Sequence, residues 1–259
     1  MHGRTALVWV NEQAEGKEAA LFAMGTYIRM AAYGDNAETA LQESSNRVPS
    51  GQELSELLQK VGYQNVRMED GMLSLAEGVQ IDLGAVGKGY TGDIVASLLK
   101  ERGVTSALLD IGGNIHMVGS RPDGSKWTLG IRNPFADGRV GVLEAEECAV
   151  VTSGGYERYF IGEDGERYWH ILDPKTGYPA ESGLASVTII SKEGRLCDVL
   201  STAVYVMGLE NAEEYWKENG GLEMLLVTEE NEIYLTEGLE GDFTLHEDLS
   251  DMKIHVLTR

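Results

Sequence analysis

The apolar positions of this chain fall mostly into short runs that end at glycine-rich or polar turns, with a few longer stretches of helical spacing between them. Thr5–Val10 and Leu21–Tyr33 read as strands, the second with Met24-Gly25-Thr26 inside it. Asn36–Gln42 has helix-forming composition, Ser44–Gly51 is a polar linker, and Gln52–Lys60 sets Leu54, Leu57 and Leu58 on one face of a helix. Asn65–Glu69 and Met72–Leu75 flank Asp70-Gly71, a dipeptide suited to the tight turn of a β-hairpin. Tyr90–Arg102 predicts a helix with Ile94, Val95, Leu98 and Leu99 inward and Gly103 ending it. Ser106–Ile111, Trp127–Ile131, Ala149–Thr152, Tyr168–Leu172 and Ala185–Ser191 read as strands, and Tyr159–Glu166 turns at Asp164-Gly165. Leu196–Met207, stopped by Gly208, and Ala212–Glu218 read as helices, followed by a hairpin of Leu222–Thr228 and Glu232–Thr236. The pattern contains no internal repeat and no low-complexity tract.

One stretch stands apart from this alternation. Ile81–Tyr90 reads Ile-Asp-Leu-Gly-Ala-Val-Gly-Lys-Gly-Tyr and joins an alternating apolar run to an amphipathic helix. Glycines in such a loop let a ligand approach the backbone, the amides opening a helix attract anions, and Lys88 adds a point charge suited to phosphate. A Walker loop is excluded by spacing: Asp82 stands where its first glycine belongs, and Gly89, not Ser or Thr, follows the lysine. A glycine-rich turn with a solvated lysine is the competing reading.

Composition narrows the partners. The 259 residues suffice for one large domain or two small ones, and a formal charge of −21 repels nucleic acid and anionic lipid. A phosphate-bearing ligand entering that field needs a basic or metal-lined pocket, so a metal is expected. Cys148 and Cys197 are expected to be free and packed rather than paired. No run reaches the length of a membrane span, and Met1–Ala20 lacks the pattern of a signal peptide.

Four further residues carry candidate chemistry. Asp198 and Thr202 lie four residues apart on one helical face, an oxygen pair of the kind magnesium or calcium takes, although an aspartate in a first turn also serves as a cap. His170 ends an apolar strand beside the rigid Asp173–Pro179 turn, where either a general base or a backbone-bonded core histidine fits. Arg158 could bind phosphate or pair with a surface carboxylate.

Taken in order, Asp82–Tyr90, Asp-Ile-Gly-Gly-Asn at Asp110–Asn114, Thr152-Ser153-Gly154 with Tyr156 and Arg158, the His-Ile-Leu-Asp-Pro-Lys-Thr-Gly-Tyr-Pro block from His170 and Cys-Asp-Val-Leu-Ser-Thr-Ala from Cys197 closely resemble the ApbE family of FAD:protein FMN transferases. The likeness runs from about Tyr63 to Gly208 and extends more weakly to Met24-Gly25-Thr26 and the C-terminal hairpin. It implies an α+β, T-fold-like protein of two lobes in one unit spanning residues 1–259, with the active site between the lobes. It implies magnesium-dependent transfer of FMN from FAD to a threonine or serine hydroxyl of a target protein, with release of AMP.

By the same resemblance Asp82 and Lys88 contact FAD, together with Met24, Arg158 and Leu172. The backbone carbonyl of Ala85 and the side chains of Asp198 and Thr202 hold Mg2+, Ser201 adds a contact, and His170 is the base toward the target hydroxyl. The expected partners are FAD and a redox protein outside the cytoplasmic membrane, with any membrane tie through a trimmed anchor. FAD hydrolysis and a non-catalytic flavin- or metal-binding role are the alternatives. The chain departs from the family pattern near residues 43–47, where a Ser-Glu-(Ile/Leu)-Ser-type loop and an Ala-Phe-Asp block that line the flavin pocket are missing.

Overall fold

The structure, a computed structural model, describes residues 47–259 together with the backbone of β1 (Lys17–Ala23) and β2 (Thr26–Ala32). The expectations for Thr5–Val10, Asn36–Gln42 and Met24 lie outside the described residues. Leu21–Tyr33 does not form one strand: β1 and β2 pair antiparallel, with Ala23 opposite Thr26. Two compact units follow from the contacts, one of residues up to Asp82 with Arg158–Pro179, the other of Leu83–Glu157 with Ala180–Arg259.

The smaller unit is built from ribbons. Helix α1 (Gly51–Leu58) starts at a capping box in which Ser50 accepts from the Glu53 amide while the Glu53 carboxylate accepts from the Ser50 amide. The hairpin of β3 (Val66–Glu69) and β4 (Met72–Leu75) turns through Asp70 and Gly71 at φ 51° and 74°, the paired positive angles its dipeptide foretold. Strands β10 (Tyr159–Ile161) and β11 (Arg167–Trp169) form another ribbon, with the rings of Phe160 and Tyr168 stacked at 5.3 Å and Arg167 over the Tyr159 ring at 3.8 Å. Beyond it, a bridge between Leu172 and Pro179 closes the turn in which Asp173 accepts from the Lys175, Thr176 and Gly177 amides.

The larger unit has three layers. Its central sheet runs β16 (Lys253–Leu257), β14 (Glu232–Thr236), β13 (Leu222–Thr228), β12 (Leu184–Ser191), β9 (Ala149–Gly154), β6 (Asn114–Val118) and β5 (Ala107–Ile111). All neighbours are antiparallel except β14 and β16. One face packs on the smaller sheet of β15 (Phe243–Leu245), β8 (Arg139–Ala145) and β7 (Trp127–Arg132), enclosing Met117, Val140, Leu143, Val150, Leu225 and Val227. The other face is covered by α2 (Gly87–Glu101) and α3 (Gly194–Glu218), which bury Cys197, Leu200, Val204 and Trp216. Because β13 is covered on both sides, Met224–Val227 is a continuous apolar run with no accessible surface.

Helix α3 contains the break expected at Gly208, whose φ of 78° and ψ of 172° interrupt it. Both cysteines are free, and burial pushes the Cys148 thiol up to about 11 and the Cys197 thiol higher still, so both stay protonated. Among the described residues no helix is long and apolar enough to cross a membrane.

Candidate active site

Helix α2 begins at Gly87, earlier than its leucine spacing indicated, and the face it buries is glycine rather than leucine. Gly89 and Gly92 are its buried residues, while Ile94 and Leu98, expected inward, are exposed. Packing explains the difference. A Cβ on Gly89 would stand 2.2 Å from the Gly194 carbonyl oxygen, and one on Gly92 would stand 2.0 Å from the His116 ring. Glycine therefore lets α3 and β6 come within backbone distance of α2.

That approach brings two aspartates onto two helix ends. Neither α2 nor α3 has a side-chain cap of its own, at Val86 or at Glu193. The Gly89 amide donates to Asp198 Oδ2 at 2.8 Å, and the Gly194 and Arg195 amides donate to Asp93 Oδ1 and Oδ2 at 2.7 and 3.0 Å. Each helix thus takes its first-turn acceptor from the other, satisfying amides that would otherwise be orphaned. His116 lies beside both. Its Nε2 is 3.2 Å from the Gly89 carbonyl, which can only accept, so Nε2 carries the proton. Burial pushes this imidazole below its usual value against the opposing pull of Asp93 and Asp198, which keeps it neutral near pH 7.

The Asp198 carboxylate is 5% exposed, and among the described residues no lysine or arginine pairs with it. A buried carboxylate with one amide donor lacks the compensation such a charge needs. Four further oxygen groups come from the turn before α2, from α3 and from β9. In a regular helix the Gly89 amide would reach back to the Ala85 carbonyl; given to Asp198 instead, it leaves that carbonyl without a hydrogen bond among the described residues. Ser201 gives its proton to the Asp198 carbonyl at 3.0 Å and so accepts from Ser153 Oγ at 2.8 Å, which in turn accepts from Thr202 Oγ1 at 3.3 Å. This direction leaves the Thr202 lone pairs for a cation.

The donor set is one carboxylate, hydroxyls and a carbonyl, and among the described residues no group of three His, Cys, Asp or Glu side chains could hold a metal. Such a set fits a hard cation such as Mg2+ rather than zinc. Ala85, Asp198 and Thr202 would hold it, and Ser201 would orient them. On the same unit, Lys88 donates to Asn114 Oδ1 at 2.9 Å, which directs the ammonium from the α2 first turn.

The remaining expected residues belong to the smaller unit. His170 is half-buried after β11; its amide and its Nδ1 both donate to the Arg158 carbonyl, at 3.2 and 3.3 Å. With the proton fixed on Nδ1, Nε2 is the basic nitrogen. Leu172 is half-buried at the Pro179 bridge, while Arg158 and Asp82 are exposed. Asp93 and His116 were not singled out by the sequence, and Ser153 entered only as part of a family block, because their partners lie far away along the chain.

Fold and site together define an α+β protein carrying an oxygen-lined helix pair at one face of a mostly antiparallel sheet. The chain belongs to the ApbE family, whose family model matches residues 18–226. It is 39% identical over 161 residues to the FAD:protein FMN transferase of Klebsiella pneumoniae, covering 61% of this chain and 49% of that protein. It is 34% identical over 210 residues to the one from Treponema pallidum, covering 74% and 58%. The chain thus spans about half the length of these curated relatives. The ApbE protein of Thermotoga maritima superimposes with a TM-score of 0.68 at 26% identity, over 88% of this chain and 99% of that one. The flavin transferase ApbE of Vibrio cholerae does so with 0.67 at 29%, over 75% and 63%.

Proposed function

We propose that this chain transfers FMN from FAD to a threonine or serine hydroxyl of a target protein, with Mg2+ bound at Ala85, Asp198 and Thr202. The observation that carries the reading is the buried Asp198 carboxylate, which has no lysine or arginine partner among the described residues and takes the Gly89 amide, leaving the Ala85 carbonyl without a hydrogen bond among those residues. The relatives named FAD:protein FMN transferase support it. Bound Mg2+ would neutralise charge developing on the pyrophosphate. Lys88, steered by Asn114, adds a cation for the same phosphates, which the −21 net charge of the chain would otherwise repel. Asp82, Arg158, Leu172 and Met24 are the further FAD contacts.

His170 takes the proton of the target hydroxyl on Nε2. The hydroxyl oxygen bonds to the phosphorus of the FMN half, the phosphoanhydride bond breaks, and AMP leaves with the electron pair on its phosphate oxygen. The acceptor is a redox protein outside the cytoplasmic membrane. Residues 1–259 are read as one ApbE-like domain, with a family segment missing near residues 43–47.

The test is mass spectrometry of a threonine-bearing acceptor incubated with the chain, FAD and Mg2+, with EDTA as control. A metal-dependent gain of one FMN is expected. Free FMN and AMP without acceptor modification would replace the reading with hydrolysis, and no turnover would leave a flavin or metal binder.

A further inference from the structure

We propose that Asp93 is a positioning residue for Asp198, acting through the exchange of carboxylates between α2 and α3. This rests on the reading of Asp198 as the metal carboxylate. Gly194 and Asp198 are four residues apart, so the turn that Asp93 grips lies directly beneath the one that carries Asp198, on the same face. The grip is bidentate, one carboxylate oxygen to each of the Gly194 and Arg195 amides, and it complements the positive end of the α3 dipole.

Two points would leave α3 free to pivot, and His116 supplies a third. Its Nε2 holds the Gly89 carbonyl and stands 3.9 Å from Asp93 Oδ1, and its ring fills the space that a Cβ on Gly92 or Gly194 would need. Asp198, Asp93 and His116 together fix how far α3 slides and turns against α2. Metal ligands tolerate about 0.5 Å of displacement, so losing the Asp93 grip should be felt at the metal although Asp93 does not touch it.

The experiment is calorimetric titration of the full chain with Mg2+, paired with amide hydrogen exchange, for wild type, Asp93→Asn, Asp93→Ala and Asp198→Asn. Asp93→Ala should bind Mg2+ about tenfold more weakly with native circular dichroism, and should speed exchange at the Gly89 amide, which the substitution does not contact. Asp93→Asn, keeping one acceptor, should fall between it and wild type. A folded Asp93→Ala with wild-type Mg2+ affinity overturns the proposal; if Asp93→Ala does not fold, unchanged Mg2+ affinity and unchanged Gly89 exchange in Asp93→Asn overturn it. Asp198→Asn tells the failures apart. If it too keeps full Mg2+ affinity, the metal reading has failed and the proposal with it; if it alone loses Mg2+, only the role of Asp93 falls.

Discussion

In the larger unit, Met224–Val227 are fully enclosed in a sheet covered on both faces. In the smaller unit, Ile171 is the one apolar side chain buried to a comparable degree among the described residues, whereas Tyr63 and Met68 are 90% and 76% exposed. Every strand of the smaller unit among the described residues belongs to a two-stranded ribbon, an arrangement that is marginal by itself. The contrast separates the candidate chemistry by rigidity. Lys88, Asp198 and Thr202 stand on helices packed against the core sheet, with Ala85 in the turn that leads into α2, where coordination geometry can be held. His170, Leu172 and Arg158 stand on a ribbon and a turn, whose local opening costs far less than global unfolding.

Asp198→Asn should give the largest effect and should break the chemistry of the larger unit without breaking its fold. Asparagine can still accept from the Gly89 amide, so the melting temperature should stay near wild type while FMN transfer falls about 10²–10³-fold and Mg2+ no longer raises stability. A melting temperature lowered as much as by a core truncation would make the residue a cap and not a ligand. His170→Ala probes the other unit. Transfer should fall about 10²-fold or more in single turnovers with FAD affinity retained; a variant that loses flavin binding would contradict the role of base.

Glycine substitutions sharpen the contrast in stability alone. Gly92→Ala would drive a Cβ into the His116 ring and should cost about 1–3 kcal/mol in urea unfolding. Gly51→Ala in the smaller unit meets nothing within 4 Å and sits at the start of a helix, so it should be neutral or stabilising by about 0.4–1 kcal/mol. Equal costs at the two positions would mean that the glycine face of α2 is not what sets the helix contact.

What the sequence made legible follows the reach of each interaction. The Asp70-Gly71 hairpin, the Gly208 break, the Glu232–Thr236 hairpin and the four-residue spacing of Asp198 and Thr202 are local, and each was read from neighbouring residues. Strand β6 was not foreseen, because Asn114 and His116 face inward toward Lys88 and Gly89, partners supplied by a separate helix. Strand β8 was hidden by Gly141, whose absent side chain makes room for Phe243. The α2 face was misjudged for the same reason: apolar spacing pointed to Ile94 and Leu98, while tertiary packing chose Gly89 and Gly92. The family blocks pointed to the ligands, but not to Asp93 and His116 that hold them.

The smallest effect concerns α1, where the smaller unit has a local lock in place of a core. The Arg47 guanidinium, then the Ser50 amide and hydroxyl, hold the Glu53 carboxyl down to about 2 from its ordinary 4.5. A value lowered in the folded state means that the contribution is complete above 4.5 and declines as pH falls from there toward 2. Carbon chemical shifts of Gln52–Leu58 should therefore lose helical character as the pH falls from about 4.5 to about 2, relative to those of α3. Glu53→Gln, which cannot titrate, should begin at lower helicity and show no such decline. If the acid response of α1 persists in that variant, the capping box is not its source, and the smaller unit must draw on contacts beyond its own local hydrogen bonds.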